Sequence, residues 1–454
     1  MARVKIDEHF TIKNLLKIAI PSILVLFCFT LSAFIDGVIL SQADSINQDS
    51  SRTLYTAFSF IAGFMTVLYA FSYIAPYGGA HVLSKALGEK DYDKANRLFF
   101  MLFTVSLGVG LLECGVGIAV LRPLLKFLGA DPSKEYFNVA VELGIWQCCS
   151  IPFFSLLAFF REMDLVSEKQ TRSFIVTIIF EGIHMGVSAL CILVFKLGIK
   201  GIGIAALADW GLGAIYYTIY YFRMNNSLLR VEPGRYTFKE LINALYLALP
   251  NFIVEFATGF ITMLTVFWIN KIFGSLGETA VAANESAYSI FSIVANLGGG
   301  YTLAVVPVIA YNYGKGNKEE IRSIFKKSLE ILLVMGVAIT ILVECLGGVL
   351  ANIFVSEGDV EGYRLTRLAI MINNSEMILL YVIYFFSSYL LAKGHTKLSL
   401  VLTASRTILW PVMIFTLPFI NQNLVFFALG GADIIMIIVD VIIFIKLNKT
   451  QRII

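Results

Sequence analysis

Residues Lys17–Ser41 read KIAIPSILVLFCFTLSAFIDGVILS, and this stretch decides what kind of molecule the chain builds. It exceeds the roughly 20 apolar residues that a helix needs to cross a bilayer, yet it carries one carboxylate, Asp36. A charged side chain at membrane depth costs roughly 2.5–3.5 kcal/mol on insertion scales, so it normally turns towards a cavity or a partner. Asp36 lies about 28 Å beyond Lys17 at 1.5 Å per helical residue, nearer the far end of the span. Two readings follow: an acid hydrated at a helix end, or a carboxylate that takes up a proton or sodium ion.

The rest of the chain repeats this apolar character. Of 454 residues, 58% are hydrophobic and 15% charged, with a mean hydropathy of +0.79, which places the chain outside soluble domains and among polytopic membrane proteins. A net charge of +3 is too small to suggest nucleic acid as a partner. All six cysteines fall in apolar runs, which argues against a disulfide framework or a thiolate metal site. No cleaved targeting segment is evident ahead of the first span.

Apolar runs predict twelve spans, at roughly 15–41, 54–79, 93–121, 136–160, 172–196, 200–222, 241–270, 280–310, 323–351, 364–391, 397–418 and 423–446. Twelve spans put both termini on one side. About 25 of the 35 Lys and Arg fall in the loops on that side and about nine on the other, so both ends are expected in the cytoplasm, with the chain in the cytoplasmic (inner) membrane.

MNNSLLRVEPGRYTFKE (224–240) divides the spans six and six and reads as a linker. The expected organisation is a six-helix lobe at 1–222, a cytoplasmic linker at 223–240 and a second six-helix lobe at 241–454. The halves also look alike. KIAIPSILVLF at Lys17 answers YLALPNFIVEF at Tyr246, bringing Pro21 over Pro250; HVLSKALGEKDYDKANRLF at His81 answers PVIAYNYGKGNKEEIRSIF at Pro307, bringing Gly88 over Gly314 and Asp91 over Asn317. Six spans per half make the copies parallel repeats, which in transporters surround a central cleft at mid-membrane. Pro21, Pro250 and Pro307 fall inside spans, where proline bends a helix and frees a carbonyl.

At these loops the chain resembles the multidrug and toxic compound extrusion (MATE) family of the multidrug/oligosaccharidyl-lipid/polysaccharide exporter superfamily. FIDGVIL, with Asp36 before a small residue, looks like the family's first-helix motif. LSKALGEKDYDKA resembles its Ser-x-x-Leu-Gly pattern, and VIAYNYGKGNKEEI matches Tyr-Asn-Tyr-Gly-x-Gly-Asn closely. FLGADP at Phe127, LGIKGIGIAALAD at Leu197, and Arg406 and Asp433 extend the likeness over essentially the whole chain. The resemblance implies an all-α membrane protein with twelve transmembrane helices in two parallel six-helix repeats around a central cleft. It also implies alternating access and export of mostly cationic, lipophilic compounds against protons or sodium ions. One departure stands out: where many members carry Asn and Asp four apart on the fifth helix, this chain has Glu181 and Met185.

Three residues are therefore candidates for cation coupling. Asp36 is the first. Glu255 stands 16 residues from both Lys239 and Lys271, hence near mid-membrane, and could be shared between a proton and an organic cation; the alternative is a buried acid hydrogen-bonded for structure. Glu181 lies three residues before His184, on one helix face, and the two could form a titrating pair or satisfy each other structurally. Because the fifth helix packs near the first in the family, Glu181 is also the local substitute for the missing acid. Candidates for substrate binding are Glu255, Asn284 with Glu285, and Asn373 with Glu376. Arg406 requires an anionic partner, and the other intramembrane acids, among them Glu113, Glu142, Glu344 and Asp433, are expected to bond polar neighbours or reach an interface.

No metal ligand set is apparent, since Glu181 and His184 lack a third ligand at suitable spacing. No Walker, HExxH or GxSxG motif points to an enzyme. The reading is an antiporter, expected as a monomer in the bilayer without a cofactor beyond the coupling H+ or Na+, that exports small organic cations. The competing readings are a flippase for lipid-linked saccharides and a membrane-embedded enzyme.

Overall fold

The computed structural model describes residues 10–41, 51–167, 169–223, 229, 237–356 and 358–449. These form fourteen α-helices: α1 (Ile12–Ser41), α2 (Ser51–Ser72), α3 (Ile74–Gly88), α4 (Tyr92–Phe127), α5 (Glu135–Val166), α6 (Gln170–Ala189), α7 (Lys200–Arg223), α8 (Phe238–Phe273), α9 (Gly277–Gly314), α10 (Lys318–Phe354), α11 (Val360–Asn374), α12 (Met377–Ala392), α13 (Thr396–Thr416) and α14 (Ala428–Lys449). Only α-helices, with a π-helical turn and short 3-10 turns, occur among the described residues. A chain this apolar must satisfy its backbone N–H and C=O groups without water, and helices do so within each segment.

Among the described residues, eleven continuous helical segments are long and apolar enough to cross a membrane, one of them the 64-residue Asn251–Gly314. A segment of that length supplies two spans, α8 and α9, separated by the 3-10 turn Gly274–Leu276, so the twelve expected spans are present. Two spans each consist of two helices. The second breaks at Tyr73 into α2 and α3, and the tenth at Ser375–Glu376 into α11 and α12. Both breaks adjoin a buried acid: Ser72 donates to Glu113 Oε2 at 2.6 Å, and Glu376 is itself the N-cap of α12. Pro21 and Pro307 lie inside α1 and α9 as expected. The expected linker, apart from Arg223, Leu229 and residues 237–240, lies outside the described residues.

Local geometry bears out the internal repeat. Asp91 and Asn317, matched in sequence, are both helix N-caps, accepting from Lys94 N at 3.0 Å and Glu320 N at 3.2 Å. Just before each cap the chain turns through a left-handed residue, Lys90 at φ 60° and Gly316 at φ 72°. The first copy therefore carries a lysine where the second uses glycine, the residue that adopts this conformation without a Cβ penalty.

By contacts the helices form two compact units, one of Met1–Phe34 with Trp268–Ile454, the other of Ile35–Phe267. Most of α1 thus packs with helices of the second sequence half, and most of α8 with helices of the first. Close approaches fix both placements. An added Cβ at Gly300 on α9 would stand 2.6 Å from Ile23 Cα on α1, and one at Gly78 on α3 would stand 2.3 Å from the Ala244 carbonyl oxygen on α8. Small residues are what permit such packing in a bilayer, where apolar helices gain little from merely meeting. Gly300→Ala is expected to lower the thermal midpoint of the detergent-solubilised protein, because overpacking typically costs about 1–3 kcal/mol. Gly299→Ala, whose nearest neighbours are 3.9 Å away, is expected to leave it unchanged. Equal midpoints for the two variants would refute this contact.

Candidate functional site

Asp36 sits in the last turns of α1, buried at 5% exposure, and both of its oxygens are engaged from α6. His184 Nε2 lies 2.7 Å from Oδ2, and the Ser188 hydroxyl donates to Oδ1 at 2.7 Å. Glu181, His184 and Ser188 follow the 3.6-residue repeat, so α6 presents them on one face. The other edge of the imidazole, Nδ1, lies 3.9 Å from Oδ2 of Asp209 on α7, outside hydrogen-bond range. Asp209 is 1% exposed, and neither its Oδ1 nor His184 Nδ1 has a hydrogen-bond partner. On α5, Arg161 Nη2 approaches Glu181 Oε1 at 3.9 Å.

The charge balance of this cluster matters. Asp36, Glu181 and Asp209 together carry −3 when ionised, whereas Arg161 and a protonated His184 supply +2, leaving −1; a neutral His184 leaves −2. Buried charge without compensation is costly, so the arrangement favours uptake of a proton or a small monovalent cation.

From sequence, Glu181 is the local substitute for the acid missing from the fifth helix and a candidate pair for His184. In the structure His184 and Ser188 bind Asp36, while Glu181 approaches Arg161, because a three-residue step along α6 is enough to select a different neighbour. Asp209 was not singled out. Its signal was present as the last residue of LGIKGIGIAALAD, an acid ending a run of small apolar residues.

Beside Asp209, Trp210 opens a chain of rings within the same unit. Its centroid lies 5.9 Å from Tyr69 and 5.0 Å from Phe154; Phe154 lies 5.6 Å from Tyr73, which stacks on Tyr77 at 5.3 Å. Tyr73 and Tyr77 are within electrostatic range of Glu255 on α8. Phe252, about one turn before Glu255, and Phe256, the residue after it, meet Phe71 at 5.0 and 5.8 Å. Glu255 is partly buried and has no salt bridge among the described residues. A carboxylate beside tyrosine rings is suited to an organic cation, which gains both Coulomb and cation–π attraction. No aromatic site was claimed from sequence, since an aromatic belt at the interface would give the same spacing.

The other unit holds a second acid cluster. Arg406 on α13 grips Asp433 on α14 through two hydrogen bonds of 2.5 and 3.0 Å and lies over the Tyr384 ring at 5.2 Å, so the partner that Arg406 required is Asp433. Glu376, 2% exposed, interacts electrostatically with both members of the pair without a well-aligned hydrogen bond. Asp440 interacts with Asp433 and makes no hydrogen bond through either oxygen. Asn373 donates to the Phe426 carbonyl at 3.4 Å, whereas Glu285 is buried on α9 beside the partly buried Asn284. Of the proposed substrate residues in this unit, only Glu376 joins the charged cluster.

Removing Arg406 would leave Asp433 buried without its cation. Breaking one member of such a pair typically costs about 3–5 kcal/mol, so Arg406→Leu is expected to abolish a monodisperse peak in size-exclusion chromatography. Arg406→Leu with Asp433→Leu is expected to restore part of it. An unaltered single variant would show that the pair does not hold these helices.

Residues 21–190 and 250–416 match the MatE family. The chain is 22% identical over 368 residues to the multidrug export protein MepA of Staphylococcus haemolyticus, which covers 80% of this chain and 79% of that protein. Its fold is similar to that of an inward-facing multidrug resistance MATE family transporter of the MOP superfamily, with a TM-score of 0.81 at 15% identity, covering 93% and 96% of the two chains. It is also similar to a MOP superfamily transporter from Pyrococcus furiosus whose binding pocket has reverse polarity, suggesting a different function there, with a TM-score of 0.73 at 16% identity and 95% of each chain covered.

Proposed function

Because this chain belongs to the MatE family, a family of multi-pass membrane transporters that includes multidrug exporters, we propose that it is an antiporter exchanging H+ or Na+ for lipophilic organic cations. The observation that carries this reading is the negative imbalance of the buried Asp36–His184–Asp209–Glu181–Arg161 cluster, in the same unit as Glu255 and its tyrosines. The first cluster takes up the coupling ion, and Glu255 with Tyr73 and Tyr77 receives the cargo. Alternating access exposes the carboxylates to one side of the membrane and then the other. The lobes are residues 1–222 and 241–454, joined by 223–240, and the excess of basic residues puts both termini in the cytoplasm and the protein in the cytoplasmic membrane.

The binding energy of the cargo comes from a carboxylate in a low-dielectric setting, where an ion pair is worth more than in water. The flippase reading would require a cluster rich in Lys and Arg for pyrophosphate. Here three acids face two bases in one unit and three acids face one base in the other, which supports a cationic cargo. No covalent step is required of any residue, in keeping with transport rather than an enzyme.

Counterflow tests transport without any imposed ion gradient. Vesicles containing purified protein and preloaded with unlabelled ethidium are expected to accumulate labelled ethidium transiently. Vesicles that accumulate none, or that release a chemically altered dye, would refute the proposal.

A further inference from the structure

At the end of α6 where basic residues gather, a cavity of about 650 Å³ is lined by Lys169, Thr171 and Arg172 and, deeper, by Ile175, Ile179 and Tyr216. None of its lining residues belongs to the proposed ion or cargo sites, although Phe180 at its far end adjoins Glu181 on α6. We infer that this cavity binds an anionic phospholipid, with the phosphate held at Lys169 and an acyl chain laid along Ile175 and Ile179.

Charge argues for an anionic headgroup. Arg172 is already matched by the fully buried Asp164, which accepts from Arg172 Nε at 2.8 Å, from Arg172 Nη2, and from the hydroxyls of Tyr217 and Tyr221 at 3.0 and 2.6 Å. Its guanidinium also lies over the Tyr220 ring at 3.6 Å. That network fixes the side chain and leaves Nη1 with no hydrogen-bond partner. Lys169 is exposed and has no ion pair among the described residues, so it is the cation at the mouth that a headgroup can reach. Basic pockets between transmembrane helices are suited to anionic headgroups.

Length argues for a lipid rather than a small anion. From Lys169 to Phe180 the cavity follows about 16 Å of helix at 1.5 Å per residue, close to one leaflet of a hydrocarbon core roughly 30 Å thick. Its lower wall is exposed and aliphatic, with Ile175 at 50% and Ile179 at 52%, a surface that offers nothing to free phosphate. A cationic dye is opposed by the same charge that attracts the phospholipid.

Native mass spectrometry of the full, delipidated protein titrated with phosphatidylglycerol or phosphatidylcholine tests this. Phosphatidylglycerol is expected to bind about 5-fold more tightly, the factor that corresponds to about 1 kcal/mol per basic residue near the headgroup. Lys169→Ala is expected to remove that preference. Ile179→Trp, which fills the groove without changing charge, is expected to weaken both lipids. Lys134→Ala, at another exposed site, is expected to change neither. Equal binding of the two lipids to the unaltered protein, a preference that survives Lys169→Ala, or binding indifferent to Ile179→Trp would each overturn the assignment.

Discussion

Asp36→Asn is expected to reduce gradient-driven efflux to the level of empty vesicles while leaving the protein folded and able to exchange dye by counterflow. An asparagine can still accept from His184 or Ser188, so the packing of α1 against α6 loses little. It cannot bind a proton at physiological pH or neutralise a sodium ion. The cluster's negative imbalance falls by one charge, from −1 to zero with His184 protonated and from −2 to −1 with it neutral, and the carboxylate that His184 and Ser188 hold for the coupling ion is gone. Efflux in reconstituted vesicles under an imposed gradient, with ethidium counterflow as the control, reads this directly. Full gradient-driven efflux by Asp36→Asn would remove the residue from the mechanism.

Glu255→Gln is the second large effect, and it acts on the cargo rather than the driving ion. A hydrogen bond or contact to a charged group is worth about 1.5–3 kcal/mol, so affinity for a lipophilic cation is expected to fall by roughly 10- to 150-fold. Binding of a neutral compound of similar shape should change little, because the rings of Tyr73, Tyr77, Phe252 and Phe256 remain. The pH dependence has a definite sign. The cation binds the ionised carboxylate, so its affinity rises with pH through the Glu255 titration in the unaltered protein and becomes flat over that range in Glu255→Gln. Isothermal titration at several pH values distinguishes this from a structural role, which would weaken cationic and neutral ligands alike.

The twelve spans were legible in sequence because a bilayer imposes length and apolarity on every crossing, and each expected run corresponds to one helix or to two adjoining ones. The internal repeat was legible through the alignment of Gly88 with Gly314 and of Asp91 with Asn317, the last two being helix N-caps, a role that few side chains fill. Which helices pack together was not. Residues facing lipid and residues facing neighbouring helices are equally apolar, so nothing in the Lys17–Ser41 pattern says that Ile23 will meet Gly300 in the second half. The same limit applied to the site. Asp36 and Glu255 were conspicuous as acids in apolar runs, and Glu181 and His184 could be placed on one face of α6. Which of them reaches Asp36 depends on the rotation of α6 about its axis, and Asp209 enters only because α7 brings it to the far edge of the imidazole. The break at Tyr73 has a cue in Pro76, which offers no N–H to the Ser72 carbonyl one turn before it, whereas the break at Ser375–Glu376 has no proline or glycine beside it and became visible only with its buried acid.

The central claim is that buried carboxylates exchange an inorganic cation for an organic one. Ethidium efflux from vesicles containing the purified protein, with pH and sodium gradients imposed separately, tests it most directly. Movement of dye against its own concentration gradient is expected under at least one of the two, collapsing when an ionophore dissipates that gradient. Efflux that ignores both gradients, or that persists unchanged after they are dissipated, would contradict ion-coupled exchange.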